Sequence, residues 1–308
     1  MRRLRRRIYA ATMLDLPRLV ILRAVQLHGG ITAAARELQY SHSAVSQQLS
    51  VLEREVGVPL LERRGRTVGL TAAGIELVRS TEAILAAVER AEADLARSQR
   101  EPRGVVTIAA FASIARSVLP LALRRLAVDA PHLEVHVELH VPEEAAVRLA
   151  ARQVDAVLTD AFPGTEVPEA DGIHATPLTS DRVRGYLPAG TDAADLAALR
   201  EVPWVLEPVG AASRQWALRV CREQGFEPRI AHVSSDILFH LRMAEAGLAA
   251  AFVPDLVVRE AASDAVWSDA LPSGDRGILF LVRSGAEAHP ALVAIRDAVR
   301  AAIGEFEA

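Results

Sequence analysis

The polar and apolar positions of this chain keep a helical period over the first third and then change to short apolar runs. Leu19, Leu22 and Val25 predict a first helix from Asp15 to His28, with Pro17 near its start and Gly29-Gly30 after its end. Ile31 to Leu38 predicts a short second helix with Thr32 as its cap. Ser41 to Gly57 predicts a third: Ala44, Val45, Leu49, Leu52 and Val56 form an apolar stripe, and His42, Ser43, Ser46, Gln47 and Ser50 share the opposite face. The tight connection Gln39 to Ser41 makes the last two a helix-turn-helix. Pro59 to Leu70 reads as a short hairpin in which Arg63, Arg64 and Arg66 flank Gly65 and Gly69. Thr71 to Arg100 reads as one long helix in which Leu77, Ile84, Val88, Ala91 and Leu95 follow a 7-4-3-4 repeat. That repeat suits a seam between two subunits, with packing inside one chain as the plainer alternative.

From Val105 the pattern becomes strand, helix, strand. Residues 105–110, 133–140 and 154–159 predict strands, with helices between them over Ile114–Asp129 (broken near Pro120) and Glu143–Arg152. This βαβαβ order implies a parallel sheet wrapped by helices. Ala161 to Gly172 is loop-like and is expected to cross into a second lobe. There, residues 183–188, 204–207, 229–234 and 250–254 read as strands, and Ser213–Gly225 and Asp236–Ala246 as helices. Residues 277–282 and the amphipathic Pro290–Phe306 are expected to return to the first lobe.

Charge changes this picture more than composition does. The net charge is −4, yet residues 1–70 hold 12 arginines against 5 acids (+7), and residues 71–308 hold 23 against 34 (−11). A basic first segment on an acidic chain fits a phosphate-facing module. Five of those arginines lie in Met1–Arg7, and residues 1–12 are expected to be a disordered or non-native leader, since Met13 opens a second plausible start. No apolar h-region follows the leader, so export is not expected. No run approaches the roughly 18 apolar residues of a membrane span. The single cysteine, Cys221, rules out an internal disulfide and reads as a small buried hydrophobe. His136 and His140 share a strand face about 13 Å apart, too far for one metal, and no nucleophile elbow, P-loop or dinucleotide fingerprint occurs. We therefore expect no enzyme, no cofactor and no metal site.

The run from Ile31 to Gly74 resembles the amino-terminal domain of LysR-type transcriptional regulators. The likeness rests on Ala33–Ala35, Leu38, Ser43-Ala44-Val45-Ser46, Leu52-Glu53, Gly57, Pro59-Leu60-Leu61, Arg63, Arg66 and Leu70-Thr71-Ala72-Ala73-Gly74. It departs at Gln47, where the family often has a cation, and at Leu61, where phenylalanine is common. The resemblance implies an α/β fold overall: an N-terminal winged helix-turn-helix, a long linker helix, and a two-lobed α/β effector domain like the periplasmic binding proteins. The expected boundaries are 13–70, 71–100, a hinge at 101–104, and 105–308, with lobe I over 105–161 and 269–308 and lobe II over 162–268.

On that reading His42, Ser43, Ser46 and Gln47 are the base-contact candidates, because short hydroxyl and amide side chains can read base edges in a major groove. Thr32, Ser41, Arg63, Arg64 and Arg66 are the candidates for backbone phosphates. Ligands of open α/β sheets bind at the carboxyl ends of strands, where helix N-termini present free amides. This selects Ser113, Ile114, Asp160, Glu207, Gly210, Ser213, Ser235 and Asp236 as effector contacts, with each of the three serines also reading as a helix cap. Helix N-termini suggest a carboxylate on the effector, and Asp160, Glu207 and Asp236 could hold an amino group. The implied partners are double-stranded DNA, a carboxylate-bearing small molecule, a second copy of the chain in a homodimer or homotetramer, and RNA polymerase, with the protein in the cytoplasm. A ligand-binding module with little sequence-specific DNA affinity, and a non-specific winged-helix DNA binder, remain as alternatives.

Overall fold

The computed structural model describes residues 14–64, 67–99, 101–165, 172–188, 191, 196–269 and 271–307. The leader 1–12 and Arg66 lie outside the described residues. The chain divides into two compact units, Met1–Ala91 and Glu92–Ala308.

The first unit holds α1 (Leu16–Leu27), α2 (Ile31–Glu37), α3 (His42–Val56), β1 (Leu61–Arg64), β2 (Thr67–Leu70) and the start of α4 (Ala72–Arg97). Asp15 caps α1 by accepting the Arg18 N–H at 3.1 Å. The N-cap of α2 is Gly30, and Thr32 lies exposed inside its first turn rather than capping it. Ser41 caps α3 by accepting the Ala44 N–H at 3.1 Å, and Gly57 ends that helix in the left-handed region at φ 74°. Leu19, Leu22, Val25, Ala34, Val45, Leu49 and Leu52 pack into one core with Leu60, Leu70 and Val78. Each fully buried aliphatic there stabilises the fold by roughly 1.5–3 kcal/mol.

Two contacts fix the hairpin to this core. The Glu53 carboxylate accepts the N–H groups of Leu60 at 2.8 Å and Leu61 at 3.1 Å. A Cβ at Gly74 would sit 2.3 Å from the Leu60 carbonyl oxygen, so only glycine lets α4 start this close to the hairpin. The Thr71 hydroxyl donates to the Pro59 carbonyl at 2.9 Å and accepts the Gly74 N–H at 3.1 Å, which caps α4.

The second unit begins with β3 (Arg103–Ala110), α5 (Ala112–Ser117), α6 (Leu119–Asp129), β4 (His132–Leu139), α7 (Pro142–Ala150) and β5 (Ala156–Ala161). It continues with β6 (Ile173–Tyr186), α8 (Leu196–Glu201), β7 (Pro203–Leu206), α9 (Ala212–Glu223), β8 (Arg229–Val233) and α10 (Ile237–Glu245). β9 (Ala251–Pro254), α11 (Asp255–Glu260), β10 (Gly274–Arg283) and α12 (Pro290–Glu307) complete it. The main sheet runs β4-β3-β5-β10-β6-β9; β3 is parallel to β4 and β5, and β10 is antiparallel to β5 and β6. β7 and β8 form a parallel pair that joins β9 through a bridge between Trp204 and Ala250.

Two expectations change here. The loop after Ala161 reaches lobe II, with Phe162 in its core and Arg219 donating to the Pro163 and Gly164 carbonyls, but the long strands β6 and β10 join the lobes as well: β10 pairs with β5 along residues 277–282 and with β6 from Gly274 to Arg283, and the far end of β6 pairs with β9. The hinge expected at 101–104 is shortened, because Arg103 and Gly104 already pair with His132 and Leu133. The helix expected over Ile114–Asp129 is α5 and α6, separated at Val118 ahead of Pro120. Lobe I packs its sheet against α6 and α12, and lobe II packs Trp204, Trp216, Phe226 and Phe252 edge to face or tilted at 5.1–5.9 Å.

Candidate functional site: a recognition helix and an interlobe cleft

The first candidate site is the outer face of α3. His42, Ser43 and Gln47 are exposed, Ser46 is partly buried, and the Ser41 and Ser43 hydroxyls lie 3.0 Å apart. The neighbouring Gln48 is turned inward and accepts from the Arg18 Nε at 3.0 Å, so Gln47 is the amide that faces out. Arg63 is exposed on β1 opposite Val68. Arg64 pairs with Thr67 at the hairpin end.

On α4, Ile84 and Leu95 are 37% and 71% exposed and Ala91 is exposed; Leu77 and Val88 are partly buried. Val78, one position away from Leu77, is the one buried in the first unit's core. Leu77 packs against that core beside Ile75 and Val78, whereas Ile84, Val88, Ala91 and Leu95 are not part of it.

The second candidate site is a cavity of about 580 Å³ within the second unit. Ser113, Glu143 and Asp160 line it from lobe I; Glu207, Gly210, Ser213, Ser235 and Asp236 line it from lobe II. Phe111, Phe162, Trp216 and Phe252 give it an apolar wall. Ile114 does not reach it, being fully buried in the lobe I core. The three serines are not helix caps. Phe111 and Ala211 stand at the N-caps of α5 and α9, and Asp236 caps α10 by accepting the Leu238 N–H at 3.1 Å.

The floor of the cleft is built on Arg276, which is 2% exposed. Its Nε (3.0 Å) and Nη2 (2.8 Å) donate to one Asp181 oxygen, its Nη1 donates to Asp160 at 2.9 Å, and Nη2 lies 3.3 Å from the Ser113 hydroxyl. The other Asp181 oxygen accepts the Leu256 N–H at 3.0 Å. One guanidinium thus joins β10 to β5, β6 and α5. Sequence reasoning missed it, because an arginine beside Gly274 and Asp275 looks like a solvated strand end and its partners are 95 and 116 residues away.

The acids of the cleft have different roles. Burial raises the Asp160 carboxyl above the ordinary range, against the pull of Arg276. Asp236 is committed to its helix and lies 3.7 Å from the Arg116 guanidinium. Burial, and then the charge of Asp160, push the Glu207 carboxyl up to about 8. Glu143 reaches across from α7 to accept the Ala212 N–H at 3.3 Å, bridging the lobes at the start of α9. Burial lowers His240, whose Nε2–H donates to the Ser234 carbonyl at 2.8 Å.

Residues 16–75 match the family model described as bacterial regulatory helix-turn-helix protein, lysR family, and residues 99–304 match LysR substrate binding domain. The chain belongs to the LysR family. This LysR-type transcriptional regulator joins a helix-turn-helix DNA-binding domain to an effector-binding domain, and its family is one of regulators rather than enzymes. It is 33% identical over 214 residues to the RuBisCO operon transcriptional regulator of Allochromatium vinosum, covering 68% of this chain and 70% of the relative. It is 28% identical over 243 residues to the HTH-type transcriptional regulator ClcR of Pseudomonas putida, covering 76% and 80%. Among solved structures, ArgP from Mycobacterium tuberculosis shares the fold at TM-score 0.59 and 23% identity, covering 94% of this chain and 97% of that one. Among the described residues no helix is long and apolar enough to cross a membrane.

Proposed function

We propose that this regulator reads its operator with His42, Ser43, Ser46 and Gln47 in a major groove, while Thr32, Ser41 and the hairpin arginines Arg63, Arg64 and Arg66 hold phosphates. The observation that carries this reading is the outer face of α3, exposed and uncharged over its first two turns above a tightly packed core. A helix that only clung to the backbone would rely on cations there. The subunits pair as a homodimer along Leu77, Ile84, Val88, Ala91 and Leu95, the exposure of Ile84 and Leu95 in the single chain being the supporting fact. The working assembly is this homodimer or a homotetramer of two of them, in the cytoplasm, with RNA polymerase as a candidate partner.

The effector lies in the interlobe cleft and bears a carboxylate, received by the amides at the start of α9 beside Gly210 and Ser213, where it takes the place of Glu143. It biases an equilibrium between arrangements of the lobes and thereby the spacing of the paired recognition helices. Selection of bound fragments from the source genome by the full-length protein tests the DNA reading. A shared, dyad-related motif is expected, and a set of fragments without one would reject it.

A further inference from the structure

We propose that the effector of the cleft carries a cationic nitrogen, an ammonium or amidinium, seated against Glu207 and Asp160 beneath the Glu143 bridge. The proposal rests on the cleft being the effector site and adds the ligand's charge to that reading.

The charges that face this point do not balance. From lobe I come Asp160 on β5 and Glu143 and Glu144 on α7; from lobe II comes Glu207 after β7. Arg276 is the cation at the floor, and it is already shared between Asp160 and the buried Asp181. Arg214 is turned to the Glu207 backbone, donating to its carbonyl at 2.8 Å. Arg116 donates through Nε to Glu260 at 2.6 Å and has Asp236 3.7 Å from Nη1, while its buried Nη2 has no partner among the described residues. Of the histidines on the wall, His140 is bonded to Glu138 at 2.9 Å and His240 to the Ser234 carbonyl. Among the described residues the Glu207 carboxyl has no hydrogen-bonding partner, although it lines a cavity large enough for a small molecule.

An unpaired carboxyl beside a second acid, out of full contact with water, is costly when ionised and is relieved by protonation or by a cation. Without a ligand Glu207 takes the first course, burial and then the charge of Asp160 raising its pKa to about 8. A ligand ammonium offers the second. It donates to both Glu207 and Asp160 and releases the Glu207 proton, while the aromatic wall of Phe162, Trp216 and Phe252 receives an apolar body. A carboxylate on the same ligand would replace Glu143 at the Ala212 N–H, so an amino acid satisfies both ends of the cleft.

The test is a thermal-shift and calorimetric screen of the full-length protein with matched probes. These are 2-phenylethylamine, 3-phenylpropionate and phenylalanine, then 1,4-diaminobutane, succinate and lysine, within a wider panel of amines, acids and amino acids. Stabilising probes are expected to carry a cationic nitrogen and to lose at least about tenfold in affinity in Glu207→Gln. Because a proton must leave, their Kd is expected to fall by up to about tenfold per pH unit between pH 6 and 8 and then level off, and to be flat in Glu207→Gln. If the stabilising probes are acids without a cationic nitrogen, or amines that bind Glu207→Gln equally well, the inference is overturned while the cleft stands as the effector site. If no probe in the panel binds, the effector-site reading fails, and the inference with it.

Discussion

Removing the guanidinium at the floor of the cleft should unlock the second unit. In Arg276→Met the aliphatic volume is kept, but Asp160 and Asp181, 11% and 6% exposed, lose the cation bonded to both. Breaking a buried ion pair by deleting one partner costs about 3–5 kcal/mol. Here two acids are stranded, yet each can limit the cost by taking a proton, so a loss of about 4 kcal/mol at pH 7.5 is expected. For a unit of this size one kcal/mol moves Tm by about 2–4 °C, which gives a drop of about 8–16 °C. Trp204, Trp216 and Trp267 all lie in the second unit, so tryptophan fluorescence on heating reports that unit alone. The pH dependence follows from Asp160. Its carboxyl is already raised by burial, and without Arg276 the opposing pull is gone. An acid whose folded pKa is raised loses stability as pH climbs through that pKa, so the gap between variant and parent should widen from pH 5 to pH 8. A drop under about 1 kcal/mol, or a gap that does not change with pH, would refute the role given to Arg276.

Three further predictions test other parts of the structure. Glu207→Gln should raise Tm of the unliganded protein more at pH 8 than at pH 5, because the parent's carboxyl, raised to about 8, loses its stabilising proton over that range; equal gains at both pH values would contradict the assignment. Cys221 is fully buried and its thiol is pushed up to about 12, so Ellman's reagent at pH 8 should leave it unmodified until denaturant is added. Gly74→Ala should destabilise the DNA-binding unit by about 1–3 kcal/mol, measured by denaturant unfolding, because the added methyl meets the Leu60 carbonyl rather than a side chain that can move.

The two units differ in how much of them could be read from sequence. In the first, local rules and packing agree: the stripe Val45, Leu49 and Leu52 is buried, and Ser41 and Gly57 bound the helix between them. The glycine of Leu70–Gly74 has its reason in the Leu60 carbonyl, a contact that spacing alone does not show. In the second unit the apolar runs β3, β5 and β9 were legible because they are buried on both faces. β6 was legible only at its far end. Residues 173–182, IHATPLTSDR, mix polar residues with a proline and keep neither an apolar run nor a regular alternation, so the first ten residues of the strand that joins the lobes look like loop. The serines misled for a related reason. A serine after a strand fits a cap, but Phe111, Ala211 and Asp236 hold those positions, and Ser113 is buried against Arg276 instead. The acids of the cleft could be listed from sequence; which of them is already engaged, Asp160 by Arg276 and Asp236 by its own helix, depends on residues far away in the chain.

Whether α3 reads sequence is decided by fluorescence anisotropy. Full-length protein would be titrated into a genome-selected fragment and a scrambled copy at several salt concentrations, beside Gln47→Ala and Arg63→Ala. A preference of about 10³ or more for the selected fragment is expected, reduced in Gln47→Ala. Arg63→Ala should weaken both DNAs alike and flatten the salt dependence. Equal affinity of the parent for both DNAs, or a preference that Gln47→Ala leaves intact while Arg63→Ala removes it, would mean that α3 does not read sequence.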